Sequence, residues 1–106
     1  METENKKETF SDIIDGDKPV LIDFFAEWCG PCKLMKPILT ELRQRMGDRI
    51  RILKVDVDRS PVVSSAFQIQ SVPTLMLIKN KNILWRQAGV MQAGQLEQII
   101  SQFLPS

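Results

Sequence analysis

Apolar residues in this chain follow two different periods. Residues 20–26 read VLIDFFA, an apolar run without alternation and with one acid inside it, the pattern of a strand buried on both faces. Residues 32–46 instead place Leu34, Met35, Ile38, Leu39, Leu42 and Met46 at three- and four-residue spacing. That spacing predicts an amphipathic helix, kinked at Pro37 and terminated by Gly47. Residues 50–57 predict a second strand, and residues 60–67 a short helix with Ser60 as its cap and Pro61 at its first position. An antiparallel hairpin is expected from residues 74–79 and 83–88, turning through 79–82. The last helix, residues 93–104, turns Leu96, Ile99, Ile100 and Phe103 inward, and Pro105 follows it. A short helix over 9–15, capped by Thr9 or Ser11 and ended by Gly16, precedes the first strand. The resulting order, α β α β α β β α, predicts an α/β domain with some parallel strands. Residues 1–8 are polar and read as a flexible lead-in to a single domain over 9–106. They are too polar to assign an earlier strand.

Composition narrows this picture. A chain of 106 residues, 43% hydrophobic, makes one domain with its own core and needs no disulfide to fold. Its 14 basic and 13 acidic residues are spread along it for a net charge of +1, so neither nucleic-acid nor membrane binding is indicated. A monomer is expected. No apolar run approaches the ~20 residues that span a bilayer, and the polar start is unlike a signal peptide. The expected location is cytoplasmic, or periplasmic if an export signal preceded the chain. Two cysteines and no histidine leave one chain unable to complete a four-ligand zinc site. The missing histidine also removes any Cys–His or Ser–His catalytic arrangement.

The two cysteines sit in Trp28-Cys29-Gly30-Pro31-Cys32-Lys33, after the buried strand and at the start of a helix. With Cys29 at the N-cap, Cys32 lies one turn on, where Cβ atoms are ~5–6 Å apart and a small adjustment permits a disulfide. Pro31 is tolerated because first-turn N–H groups lack intrahelical partners. The same unpaired donors and the helix dipole favour Cys29 as a thiolate, the reactive form. Cys32, deeper in the helix, is expected to be less exposed, with a raised pKa. The chemistry that follows is attack by Cys29 on a target disulfide and resolution by Cys32. The alternative is a structural disulfide, although a loop this short gains little stability from one.

Asp23 lies within VLIDFF, with apolar neighbours on both faces of the strand. It reads as a buried acid with a raised pKa, or else as an acid reaching solvent at a strand end. Lys54 interrupts an apolar stretch and, on residue type alone, reads as a solvated edge lysine. Pro73, just before a strand, allows a cis bond without demanding one.

From Phe10 to Leu104 the chain resembles the thioredoxin family. The matching stretches are DFFAEWCGPCK at 23–33, KVDVD at 54–58 and VPT at 72–74. The resemblance implies the thioredoxin fold, a central mixed β-sheet flanked by helices on both faces. It implies protein-disulfide reductase activity through a redox-active Cys29-Cys32 pair, with Asp23 as a buried acid exchanging a proton with Cys32 and Lys54 offsetting its charge. It also implies a cis-proline at Pro73. Around Cys29 it implies a docking surface of Trp28, Gly30, Pro31, Val57, Val72, Pro73, Ala88 and Gly89, with the Val72 backbone pairing to a substrate strand. No bound cofactor or metal is implied; electrons come from NADPH through a flavin-containing thioredoxin reductase. Clients of such proteins include ribonucleotide reductase, peroxiredoxin and methionine sulfoxide reductase. Phe25 stands where many relatives have Trp, Asn82 where a turn Gly is common, and Trp85 reads as structural.

Two other readings keep the fold. One is a thiol oxidase or isomerase for exported proteins; such proteins commonly place His between the cysteines, whereas this chain has Gly30-Pro31. The other is a non-catalytic accessory subunit, against which the intact cysteine pair argues.

Overall fold

The computed structural model describes residues 8–105. Both the expected lead-in and the question of an earlier strand fall on residues 1–7, outside the described ones, apart from Glu8. Helix α1 (Phe10–Ile14) opens the fold. Thr9 caps it reciprocally with Asp12: the Thr9 hydroxyl accepts the Asp12 N–H, and the Asp12 carboxylate accepts the Thr9 N–H. Strand β1 (Val20–Phe25) follows, then α2 (Gly30–Met46), a single 3-10 turn, and β2 (Arg51–Asp56). Helix α3 (Pro61–Ala66), the hairpin β3 (Thr74–Lys79) with β4 (Asn82–Ala88), and α4 (Ala93–Ser101) complete the order.

The sheet runs β2-β1-β3-β4, with β1 parallel to β2 and antiparallel to β3. β1 is central because both its faces are apolar. Leu21 belongs to a core with Met35, Leu42, Leu96 and Ile100, on the side of α2 and α4. Ile22 and Phe24 belong to a second core with Leu53, Met76 and Ile78, against which Phe10, Val63 and Phe67 pack on the side of α1 and α3. Helices therefore cover both faces, the arrangement a strand without alternation requires.

The structure differs from the sequence expectations in a few places. Leu34 was expected in the buried stripe of α2 but is 59% exposed. Met35, Ile38, Leu39, Leu42 and Met46 fill the interface without it. α2 begins at Gly30, two residues before the expected start at Cys32. α4 ends at Ser101, short of 104. Phe103 and Leu104 still pack on the core, from turns rather than helix. In the hairpin the positive-φ residues are Asn80 (51°) and Lys81 (65°), and Asn82 already belongs to β4. Trp85 is half-buried on β4 and packs against the α2/α4 core.

Candidate active site

β1 ends at Phe25, and the chain turns immediately into α2. The Cys29 N–H closes this turn on the Ala26 carbonyl at 3.2 Å. Cys29 is extended (φ −86°, ψ 112°) and is the N-cap of α2, with Pro31 in the first turn. The Cys32 N–H donates to Cys29 Sγ at 3.2 Å, so the sulfur does what a capping oxygen does elsewhere. Cys29 and Cys32 form a disulfide with Cα atoms 5.4 Å apart. When that bond opens, the N–H donor and the positive helix end remain aimed at Cys29 Sγ, and both favour a thiolate there.

The exposure of the pair departs from expectation. Cys29 is 4% exposed and Cys32 7%, so the deeper position in the helix is not the more enclosed one. Ala26, Phe25, Val57 and Val72 pack around the pair, and Cys29 Sγ lies 3.6 Å from the Val72 carbonyl oxygen. Cys32 faces an open pocket of about 370 Å³ on its other side, beside Lys33 and Lys36.

The Val72-Pro73 peptide is cis. The Pro73 carbonyl accepts the Gly89 N–H at 2.8 Å, and Thr74 pairs with Ala88. Ala88 and Gly89 are thereby held beside Pro73. Gly89 has φ 101°, a conformation in which a side chain is strained. Gly30 and Pro31 are exposed on the helix start, and Val57 is half-buried against the cysteines. Trp28 is 72% exposed, and its indole N–H donates to Asp58 Oδ2 at 2.9 Å. The sequence reading assigned Asp58 no role. The signal was the second acid of KVDVD: the first, Asp56, accepts the Asp58 N–H at 2.9 Å and shapes the turn that presents the second to Trp28.

Asp23 is 1% exposed, and neither carboxylate oxygen has a hydrogen-bond partner. Burial raises its pKa from 3.8 to about 6, while the charge of Lys54 pulls the other way. Asp23 and Lys54 are register partners on β1 and β2. No ion pair joins them: Lys54 is exposed and sets its Nζ 5.0 Å from the centre of the Phe25 ring. Lys54 thus acts on Asp23 through its field and not by contact. Among the described residues, no group of three His, Cys, Asp or Glu could hold a metal ion, and no helix is long and apolar enough to cross a membrane.

A family model described as thioredoxin matches residues 2–102. A thioredoxin-like protein of Synechocystis is 43% identical over 96 residues, covering 90% of this chain and 91% of that one. The chloroplastic thioredoxin Y2 of Arabidopsis thaliana is 41% identical over 93% of this chain, which spans 62% of that relative's length. Among solved structures, the oxidised mitochondrial thioredoxin 3 of Saccharomyces cerevisiae is similar with a TM-score of 0.78 and 36% identity, over 88% of this chain and 86% of that one.

Proposed function

The chain belongs to the thioredoxin family, a thiol–disulfide oxidoreductase that reduces protein disulfides by dithiol–disulfide exchange, and we propose that NADPH supplies its electrons through a flavin-containing thioredoxin reductase. The Cys29 thiolate attacks one sulfur of a client disulfide, forms a mixed disulfide and releases the first client thiolate. Cys32, deprotonated, then attacks Cys29 Sγ, closes the internal disulfide and releases the second client thiolate. Two electrons pass to the client, and the reductase restores the pair. Asp23 takes the Cys32 proton in the resolving step, a task suited to a carboxyl whose pKa burial has raised to about 6. Clients lie along Trp28, Val72, Pro73, Ala88 and Gly89, with the Val72 backbone as the edge for an extended segment. Oxidised ribonucleotide reductase, peroxiredoxin and methionine sulfoxide reductase are clients of the appropriate chemistry. The place of work is the cytoplasm, where thiols are kept reduced.

The observation that carries this function is Cys29 Sγ at the N-cap of α2, accepting the Cys32 N–H at 3.2 Å and bonded to the Cys32 sulfur. Insulin reduction driven by dithiothreitol tests it. The wild type should accelerate precipitation of the insulin chains, and Cys29→Ser should abolish the acceleration. Cys32→Ser should accumulate mixed disulfides visible on a non-reducing gel. A wild type no faster than dithiothreitol alone would refute the assignment.

A further inference from the structure

A second surface lies behind the cysteine pair, between α2 and the outer strand β2. Phe25, Leu39 and Ile52 form its apolar floor, and Lys36, Arg43 and Lys54 stand around it in a groove of about 440 Å³. Phe25, Lys36 and Lys54 also line the pocket that Cys32 faces, so the groove adjoins the active site. The periodicity of α2 explains the placement. Lys36 and Arg43 are seven residues apart, two turns along one side of the helix, on either side of the buried Leu39.

The charge of this groove is unbalanced. Among the described residues, Arg45 and Arg51 form ion pairs elsewhere and Arg59 pairs with Asp56; neither Lys36 nor Arg43 takes part in those pairs. Lys54 rests over the Phe25 ring. The one acid in the lining, Asp56, is already engaged: its carboxylate accepts the Asp58 N–H at 2.9 Å and faces Arg59 at 3.9 Å. Three cations thus surround an apolar floor with no free anion among them. The groove lies between α2 and β2, with apolar side chains beneath and cations beside them. An extended chain, with apolar side chains on Phe25, Leu39 and Ile52 and carboxylates toward Lys36, Arg43 and Lys54, matches both the apolar lining and the charge.

We propose that this groove docks an acidic amphipathic segment of a redox partner, one in which Glu or Asp alternates with large apolar residues. The proposal rests on the disulfide-reductase reading, because the groove adjoins the active site and would hold a partner whose disulfide lies at Cys29. Docking here brings the partner's disulfide to the pair repeatedly, which raises the rate for acidic partners without altering the chemistry.

The test separates binding from exchange. A fluorescein-labelled, cysteine-free peptide of alternating Glu and Leu is titrated with the oxidised protein and followed by anisotropy. A peptide with Lys in place of every Glu is the control. The acidic peptide should bind and the basic one should not. Lys36→Glu with Arg43→Glu should weaken binding about tenfold or more, and so should raising the salt from about 0.01 M to about 1 M, which shortens the screening length from ~30 Å to ~3 Å. Arg43 is exposed and lies outside the pocket that Cys32 faces, and insulin reduction by Arg43→Glu alone should stay at the wild-type rate. Equal binding of the two peptides, or a double variant that binds as well as the wild type, would overturn the docking site. Complete displacement by millimolar inorganic phosphate would do so as well, because it would identify a simple anion site. Loss of insulin reduction in the wild type would instead overturn the reductase reading, so the two failures are distinct.

Discussion

Asp23 puts a carboxyl where the fold supplies no hydrogen bond. Both oxygens are enclosed and unbonded, and the nearest compensation is the field of Lys54 from the neighbouring strand. The raised pKa makes this a stability statement with a definite sign. Between 3.8 and about 6 the folded protein holds a proton that the unfolded chain has released, so stability falls as pH rises through that window. The contribution is fully present below the unfolded value and is lost above the folded one. The shift from 3.8 to about 6 corresponds to roughly 3 kcal/mol. Asp23→Asn removes the charge but leaves a polar amide unbonded. Its stabilising effect should therefore be near zero at about pH 4, grow through about pH 6, and level off below roughly 3 kcal/mol. Urea denaturation of both proteins across that range measures the difference, and a pH-independent difference would contradict the argument. On the proposed proton-acceptor role of Asp23, the same variant should also slow insulin reduction. Unchanged turnover from about pH 6 to about pH 9 would remove Asp23 from the exchange step.

Individual elements were legible to different degrees, and the hairpin shows why. β3 was recognisable because six consecutive residues, TLMLIK, carry the pattern of a buried strand, and five of them are buried. The turn after it was located only approximately, because Asn80-Lys81-Asn82 offers no glycine to mark the positive-φ positions. Asn80 at φ 51° suits that conformation, whereas Lys81 at φ 65° bears the steric cost of its Cβ. Both turn N–H groups are anchored, to Gly16 at 3.0 Å and to Ile14 at 2.8 Å, so the end of α1 holds the turn in place. Lys81→Gly keeps those backbone bonds and should stabilise the protein by roughly 0.5–1 kcal/mol, read as a higher midpoint in thermal unfolding. A lower midpoint would mean that the Lys81 side chain contributes more than its backbone conformation costs. The same limits explain Leu34 and the end of α4. Helical spacing admits one residue at the edge of the buried stripe, and Leu34 falls just outside it. Phe103 and Leu104 half-bury their side chains from turns closed three residues back, Phe103 N–H on Ile100 at 2.9 Å and Leu104 N–H on Ser101 at 3.3 Å, which apolar spacing cannot distinguish from an α-helix. At the site, the WCGPC stretch was readable because cap, proline and second cysteine are local. The Trp28–Asp58 bond and the cover over Cys29 depend on strands brought together from far along the chain.

In the whole molecule, β1 joins two cores and carries the active-site turn on its end. Leu21 faces the α2/α4 core and Ile22 the α1/α3 core, and β3 repeats the division with Leu77 and Met76 in register beside them. Neither core can lose its strand without exposing the other, so the domain should unfold as a single cooperative unit. Leu77→Ala and Met76→Ala each empty part of a fully buried site, on opposite faces, and each should cost about 2–5 kcal/mol. Against a total stability of about 5–15 kcal/mol, a loss of that size should clearly lower the unfolding midpoint of each variant. The cooperative argument makes a stricter demand than destabilisation. In each variant, far-ultraviolet circular dichroism, tryptophan fluorescence and residual insulin reduction should lose their native values along one common urea curve. Trp28 and the cysteine turn sit at the end of β1, so the site persists only while both faces are covered. Separate transitions for the two faces, or activity that outlasts the secondary structure, would show that one core suffices to hold the cysteine pair.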